Sequence, residues 1–259
     1  MIIPNLPDAL IGYTGFVGSN LLKQHQFECL YNSKNIKEIQ NKDFNLVVCA
    51  AAPSIKWLAN KEPENDLAAI EMLITNLKKI KAKKFVLIST IDVYPNLNMV
   101  NEDSLIKKAN LTPYGAHRLM LEELIANTFD HLIIRLPAIF GKGMKKNPLF
   151  DLMHNDLKYF NPDSLLQFYH LDYLWADIDK SLQNNLKVLN IATEPILLGE
   201  IAREVFKLDI PNTTEIHPAF YDMRTNHANL WGNSKPYLYL KEEIMKDVKL
   251  FVENLPQAS

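Results

Sequence analysis

Three glycines in the run Gly12-Tyr13-Thr14-Gly15-Phe16-Val17-Gly18 constrain this chain more than any other feature. They follow a short apolar stretch, Ala9-Leu10-Ile11-Gly12, that reads as a strand. They open Val17 to Lys23, which reads as a helix. Glycine in such a turn lets backbone approach a pyrophosphate with no Cβ in the way. The helix start offers free N–H groups and the positive end of a dipole. Strand, turn and helix together predict a dinucleotide cradle formed by Gly12, Thr14, Gly15, Phe16, Val17 and Gly18. A tight turn with a purely structural role is the alternative.

The same alternation runs through the first two thirds of the chain. Phe27 to Tyr31 and Leu46 to Ala50 read as strands, and Pro63 to Ile80 as a long helix with Leu67, Ile70, Ile74 and Leu77 at helical spacing. Phe85 to Ile88 reads as a fourth strand. Thr112-Pro113 starts a further helix, with Thr as N-cap and Pro in the first turn, and His131 to Leu136 is a fifth strand. Strands apolar on both faces, joined by helices, predict a doubly wound parallel sheet of Rossmann type.

After Pro137 the texture changes. Gly141-Lys142-Gly143 is a break. Scattered elements follow: a strand at Gln167 to His170, a helix at Asp172 to Leu182, a strand at Val188 to Ile191, helices at Leu198 to Phe206 and Glu242 to Glu253, and loop from Pro211 to Pro236. The expected organisation is one domain over 1–259. Residues 1–140 form mainly the dinucleotide-binding core and 141–259 mainly a small C-terminal substrate lobe, with elements returning to the sheet.

The formal net charge of -2 argues against a nucleic-acid partner, which would call for a basic excess. No apolar run reaches the length of a membrane span, so a cytoplasmic protein without a membrane partner is expected. The two cysteines, Cys29 and Cys49, lie in apolar strand-like runs and read as reduced, buried thiols. His117 and His170 lack further ligands at suitable spacing, so no metal is expected. Trp57, Trp175 and Trp231 are dispersed and read as packing residues.

No acidic residue follows the second strand to grip an adenosine ribose. Asn32, Ser33 and Lys34 stand there instead, and they suit a 2′-phosphate better than a hydroxyl pair. The cofactor expected is NADP or NAD, with a slight lean to NADP.

With the glycine turn in place, further segments resemble the extended short-chain dehydrogenase/reductase superfamily, in its branch of nucleotide-sugar epimerases, dehydratases and reductases. They are Ala50-Ala51-Ala52, Ser89-Thr90-Ile91-Asp92-Val93-Tyr94, Pro113-Tyr114-Gly115-Ala116-His117-Arg118, Arg135 to Gly141, and His170-Leu171-Asp172. The resemblance runs through most of the chain. It implies an NAD(P)-dependent reductase or epimerase acting on a nucleotide sugar or related carbohydrate. Thr90 would hold the substrate oxygen, Tyr114 would serve as general acid/base, and Arg118 occupies the place of the family's lysine. It further implies cofactor contacts from Ala50, Ala51, Ala52, Tyr114, Arg118, Pro137 and Ile139, substrate contacts from Asp92, His170 and Arg224, and a homodimer formed by the helices starting at Pro63 and Pro113.

The chemistry can be followed from the residues. Hydride transfer at a carbinol carbon requires a proton to move on the adjacent oxygen, and a phenol normally ionises only near pH 10. A cation four residues along a helix shares the tyrosine's face and can bring that value down. Arg118 keeps the charge but forks differently from lysine. Dehydratases of the family resemble one another in acidic residues directly after the Thr. Here the first such position is Ile91 and only the second, Asp92, is acidic, so a 4,6-dehydratase is disfavoured. Asp92 is either a proton-abstracting base or a turn-capping residue. The shorter second half is closer to reductase members. A non-catalytic dinucleotide-binding sensor or scaffold of a biosynthetic pathway is the rival reading, prompted by Arg118 and that short lobe.

Overall fold

The structure is a computed structural model that describes residues 6–211 and 215–254. In chain order its elements are β1 (Ala9–Ile11), α1 (Phe16–Gln24), β2 (Cys29–Tyr31), β3 (Asp43–Cys49), α2 (Lys56–Lys61), α3 (Pro63–Leu77), β4 (Lys81–Thr90), α4 (Pro113–Thr128) and β5 (His131–Leu136). Then come β6 (Ala138–Phe140), α5 (Pro148–Met153), β7 (Leu165–Leu166), β8 (Phe168–His170), α6 (Leu174–Gln183), β9 (Val188–Asn190), β10 (Ile196–Leu197), α7 (Leu198–Glu204) and α8 (Lys241–Glu253). The chain divides into two compact units. The first runs to Pro95 and takes in Leu105–Arg135 and Asp172–Leu189; the second takes Asn96–Ser104, Leu136–Leu171 and the chain from Asn190 onward.

The first unit is built on a six-stranded sheet of order β2-β1-β3-β4-β5-β9. β1 pairs in parallel with both β2 and β3, and β3 pairs in parallel with β4. The chain starts in the interior of the sheet, steps out to β2 and returns past β1 to β3. The reversal falls between β1 and β3, the position where sheets of this type bind ligands beyond their strand ends. Helix α3 packs with α4, and α1 with α6. This is the doubly wound Rossmann-type sheet that the sequence predicts. The core is aliphatic and aromatic: Ile11, Val47, Phe85, Leu87, Ile70, Leu77, Ile125 and Ile133 are all buried.

Local chemistry sets the element ends. Thr112 caps α4, its hydroxyl accepting from the Gly115 N–H, with Pro113 in the first turn. Helix α3 ends at Leu77, three residues short of the expected Ile80, where Lys78 and Lys79 lead into β4. Its inward face also differs from the expected one. Asp66, Ile70, Leu73 and Leu77 are buried, whereas Leu67 and Ile74 are only half-buried.

The second unit has short elements: the parallel pair β6/β8, the antiparallel pair β7/β10, and helices α5, α7 and α8. Of these β6, β7, β10 and α5 are absent from the sequence reading. Polar side chains do much of the joining here. The fully buried Gln167 amide donates to the Thr193 and Met223 carbonyls at 2.5 and 2.7 Å and accepts from Met223 N–H at 2.7 Å. Glu102 accepts from the backbone of Asn190 and Asn226 and from the Thr225 hydroxyl. The expected loop from Pro211 to Pro236 contains a 3-10 turn at Ala228–Trp231; its residues 212–214 lie outside those described.

Two side chains depart from expectation, Trp57 and Cys29. Trp57, in the first turn of the short helix α2, is 62% exposed. Trp175 does pack, stacked on His25 with ring centroids 3.7 Å apart. Cys49 is fully buried with its thiol pushed up to about 12 by burial, but Cys29 is only half-buried, near the edge of the sheet on β2. No helix among the described residues is long and apolar enough to cross a membrane.

Candidate functional site

The glycine turn sits between β1 and α1. The Gly12 N–H donates to the Tyr31 carbonyl at 2.7 Å, and Gly12 adopts φ +89, a conformation open to glycine. A Cβ at Gly12 would meet the Ala50 carbonyl oxygen at 2.5 Å, and one at Gly18 would meet the Gly12 carbonyl oxygen at 2.1 Å. Both obstacles are backbone, so neither glycine can be replaced without moving β1 or β3 relative to α1. Helix α1 is capped at Gly15 with no side-chain cap bond, and its first turn contains no acidic residue. The first-turn N–H groups therefore have no intrahelical acceptor and face no competing carboxylate on their own helix. A diphosphate fits such a cradle chemically. Beyond β2, Asn32 is tied down, its amide donating to the Tyr13 hydroxyl at 3.1 Å and its Oδ1 accepting from the Lys34 N–H at 2.9 Å. Ser33 and Lys34 are exposed.

A second cluster forms where β4 ends and α4 begins. Thr90 Oγ1 donates to Asp92 Oδ2 at 3.2 Å and accepts from the Asp92 N–H at 3.2 Å. The Tyr114 phenol is within reach of Thr90, and the Tyr114 N–H donates to Asn60 Oδ1 at 3.0 Å. Close approach of the two segments depends on Gly115, where a Cβ would lie 2.1 Å from the Asp92 carbonyl oxygen. Lys56, at the start of α2, pairs with Asp92 at 2.5 Å. Thr90, Asp92 and Tyr114 are thus brought together as the sequence suggested, while Lys56 and Asn60 join them unannounced.

Tyr114 and Arg118 are not an exposed helix pair: both are buried. The Arg118 guanidinium lies over the Tyr114 ring, with Cζ 4.0 Å from its centroid. It is nevertheless committed elsewhere. Both terminal nitrogens donate to the Asp66 carboxylate, the bond from Nη2 being 2.8 Å, and Nη2 also donates to the Pro53 carbonyl. His117 Nδ1 lies 2.7 Å from Asp66 Oδ2. Burial alone would raise the Asp66 carboxyl, but the bonds from Arg118 and His117 outweigh it and hold it below its ordinary value. The depression of the Tyr114 phenol expected from a cation at Arg118 does not result. Burial pushes the phenol up, and Asp92 adds to that; Arg118, Thr90 and Lys56 only partly oppose it.

A buried network underlies this cluster. Glu122, two turns beyond Tyr114 on α4, accepts three bonds from Arg135 on β5, one from Nη2 at 2.7 Å and two from Nε at 3.1 and 3.3 Å. It also accepts the Ser89 hydroxyl at 2.5 Å, and Arg135 Nη1 donates to the Tyr94 hydroxyl at 2.6 Å. The network links α4, β4 and β5. Asp66 and Glu122 escape a reading based on motifs. Each has one usable signal: an acidic residue in line with buried apolar positions of its helix, Ile70 for Asp66 and Ile125 for Glu122.

Ala51 and Ala52 follow β3 in the first unit, whereas Pro137, Ile139, His170 and Arg224 lie in the second. The Ile139 carbonyl accepts from the Asn147 amide at 2.8 Å, and Pro137 precedes β6. His170 packs among aromatics, its ring centroid 4.8 Å from that of Phe140 and 6.1 Å from that of Phe251. The Arg224 guanidinium forks onto Asp222 at 2.8 Å, and Asp222 also accepts the Tyr237 hydroxyl at 2.7 Å. Burial and the Asp222 bond push that phenol up to about 12. Among the described residues no group of three or more His, Cys, Asp or Glu could hold a metal ion.

Sheet order and the glycine turn between β1 and α1 together define a Rossmann-type α/β protein. The profile of the NAD dependent epimerase/dehydratase family matches residues 23–155, about half of the chain, and the chain belongs to that family. The match begins downstream of the glycine turn. No protein of curated function matches the chain in sequence. Similar solved structures include a UDP-N-acetylglucosamine 4-epimerase from Methanobrevibacter ruminantium in complex with UDP-N-acetylmuramic acid (15% identity, 96% of this chain and 97% of that one, TM-score 0.72). Others are the dTDP-glucose 4,6-dehydratase DesIV from Streptomyces venezuelae with NAD and TYD bound (14%, 95% and 97%, 0.73) and MoeE5 in complex with UDP-glucuronic acid and NAD (17%, 95% and 97%, 0.73). At these identities the likeness is one of fold.

Proposed function

We propose that this protein is an NAD(P)-dependent enzyme acting on a nucleotide sugar or related carbohydrate, as a reductase or epimerase. Tyr114 is its general acid/base. The observation that carries this reading is the convergence of Thr90, Asp92 and Tyr114 on one small region, held by the contact of Gly115 with Asp92. Family membership and the nucleotide sugars bound by similar structures support it.

Gly12, Gly15 and Gly18 and the N–H groups of Phe16 and Val17 would hold the diphosphate of the coenzyme, with Thr14 and Ala50 to Ala52 beside it. When bound, the nicotinamide supplies hydride transfer. Thr90 positions the substrate oxygen by hydrogen bonding, and Tyr114 passes or takes the proton on that oxygen. Asn32, Ser33 and Lys34, with no acidic residue among them, favour NADP. Pro137 and Ile139 are retained as cofactor contacts, and Asp92 and His170 as substrate contacts. The part-exposed guanidinium of Arg224 is retained as a diphosphate contact that Asp222 would have to share. A homodimer through α3 and α4 remains part of the proposal. So does a cytoplasmic location.

The test is Tyr114→Phe assayed against a panel of nucleotide sugars with NAD(H) and NADP(H). Turnover should vanish while coenzyme binding persists; undiminished turnover would refute the assignment. One observation favours the rival reading, a non-catalytic coenzyme-binding protein: Arg118 is neutralised by Asp66 and the Tyr114 phenol is pushed up. Cofactor binding without turnover on any sugar of the panel would select it.

A further inference from the structure

Three charged side chains, Arg118, Asp92 and Lys56, act on Tyr114, and each is held in an ion pair. Arg118 on α4 is bound by Asp66 on α3, with His117 of α4 on the same carboxylate. Asp92, following β4, is bound by Lys56 on α2. The two pairs differ in surroundings. The Arg118–Asp66 pair is deep, with side chains 3% and 4% exposed, and its guanidinium also bonds the Pro53 carbonyl. It acts as a brace between α3, α4 and the loop after β3. The Lys56–Asp92 pair is accessible, at 45% and 20%. Asp92 reaches Thr90 through its other oxygen.

A bare carboxylate on Asp92, joined by a hydrogen bond to the hydroxyl that faces the phenol, would oppose any negative charge on Tyr114. We propose that Lys56 supplies a second positive charge to the site beside Arg118: its ammonium, held on Asp92 at 2.5 Å, offsets the carboxylate next to Thr90 and Tyr114, while Arg118 over the Tyr114 ring is shared with Asp66. Lys56 acts through Asp92 and is a positioning residue. The inference rests on the proposed role of Tyr114 and gives that role its electrostatic partner. The lysine absent from the helix motif thus has a counterpart on α2, beyond a different strand.

The test reads the phenol itself and needs neither coenzyme nor sugar. The protein is labelled with 13C at tyrosine Cζ, and the Tyr114 signal is assigned, among the 10 tyrosines, as the one lost in Tyr114→Phe. The phenolate fraction is then compared at one alkaline pH where circular dichroism shows every variant folded. Lys56→Gln should lower that fraction about threefold, half a pKa unit being a modest effect for a partly exposed charge. Lys56→Arg should leave it near the wild-type value. Asp92→Asn, which removes the opposing carboxylate, should raise it. An unchanged fraction in Lys56→Gln, or an equal fall in Lys56→Arg, overturns the inference. A protein that shows these shifts but binds no pyridine nucleotide would refute the enzymatic reading and leave the role of Lys56 intact. A coenzyme-binding protein without the shifts would do the reverse.

Discussion

Arg118 and Asp66 form a two-pronged ion pair between α4 and α3, with both side chains almost wholly removed from solvent. Arginine suits this place because its planar fork meets both carboxylate oxygens and still reaches the Pro53 carbonyl. The departure from the family's lysine is therefore tied to a packing arrangement in this chain.

Restoring the motif should not restore an ordinary site. Lysine at 118 offers a point charge that cannot fork onto Asp66, and it leaves acceptors on Asp66 and Pro53 unanswered. Arg118→Lys is expected to destabilise the protein by about 2 kcal/mol, the range for losing buried charged hydrogen bonds. Urea unfolding of wild type and variant measures this. A variant as stable as wild type would show that the fork is dispensable.

Asp66 gives the pair a pH signature. Its folded-state pKa lies below the ordinary value of 3.8, so the stability it contributes is fully present above that value. That stability is lost as pH falls through the lowered folded value. Asp66→Asn should cost about 3 kcal/mol at pH 7, because the guanidinium of Arg118 is left buried without its partner. The difference between the two proteins should hold from pH 7 to 5 and shrink below about pH 4 as the wild-type carboxyl protonates. Unfolding curves across that range would reveal a pH-independent difference if the carboxylate charge were irrelevant.

Gly115 is expected to be as sensitive as the glycines of the first turn. Alanine there would place Cβ 2.1 Å from the Asp92 carbonyl oxygen, and backbone cannot swing aside as a long side chain can. Gly115→Ala should lower stability by about 2 kcal/mol, typical of overpacking. It should also reduce turnover by pushing Tyr114 away from Thr90. Thermal melts and rates together check this, and an unaltered melting temperature would contradict it.

The first unit was largely legible because its signals are local. Strand β5 was bounded correctly at His131–Leu136, and the Thr112 cap and first-turn Pro113 marked the start of α4. The second unit was less so. Strands β7 and β10 have two residues each, too few for any period to register, and Gln167 and Glu102 hold the chain there by bonds that composition does not reveal. In the candidate site, Thr90 and Tyr114 stand out in the sequence because they lie inside motifs. Lys56, Asp66 and Glu122 do not stand out, because the side chains that bind them lie 36, 52 and 13 residues away in sequence. A solvated lysine and a bound one look alike in a sequence. Only Asp66 and Glu122 betray themselves, as charges on apolar helix faces.

The central claim is that the turn from Gly12 to Gly18 binds a pyridine dinucleotide, and calorimetry tests it most directly. Purified protein, freed of any nucleotide that accompanies it, is titrated with NAD+, NADH, NADP+ and NADPH. Expected is saturable one-to-one binding of at least one of them, weakened at least about tenfold in a folded Gly18→Ala variant, whose Cβ would collide with the Gly12 carbonyl. Absence of measurable affinity for all four would contradict the claim, and so would equal affinity in the variant.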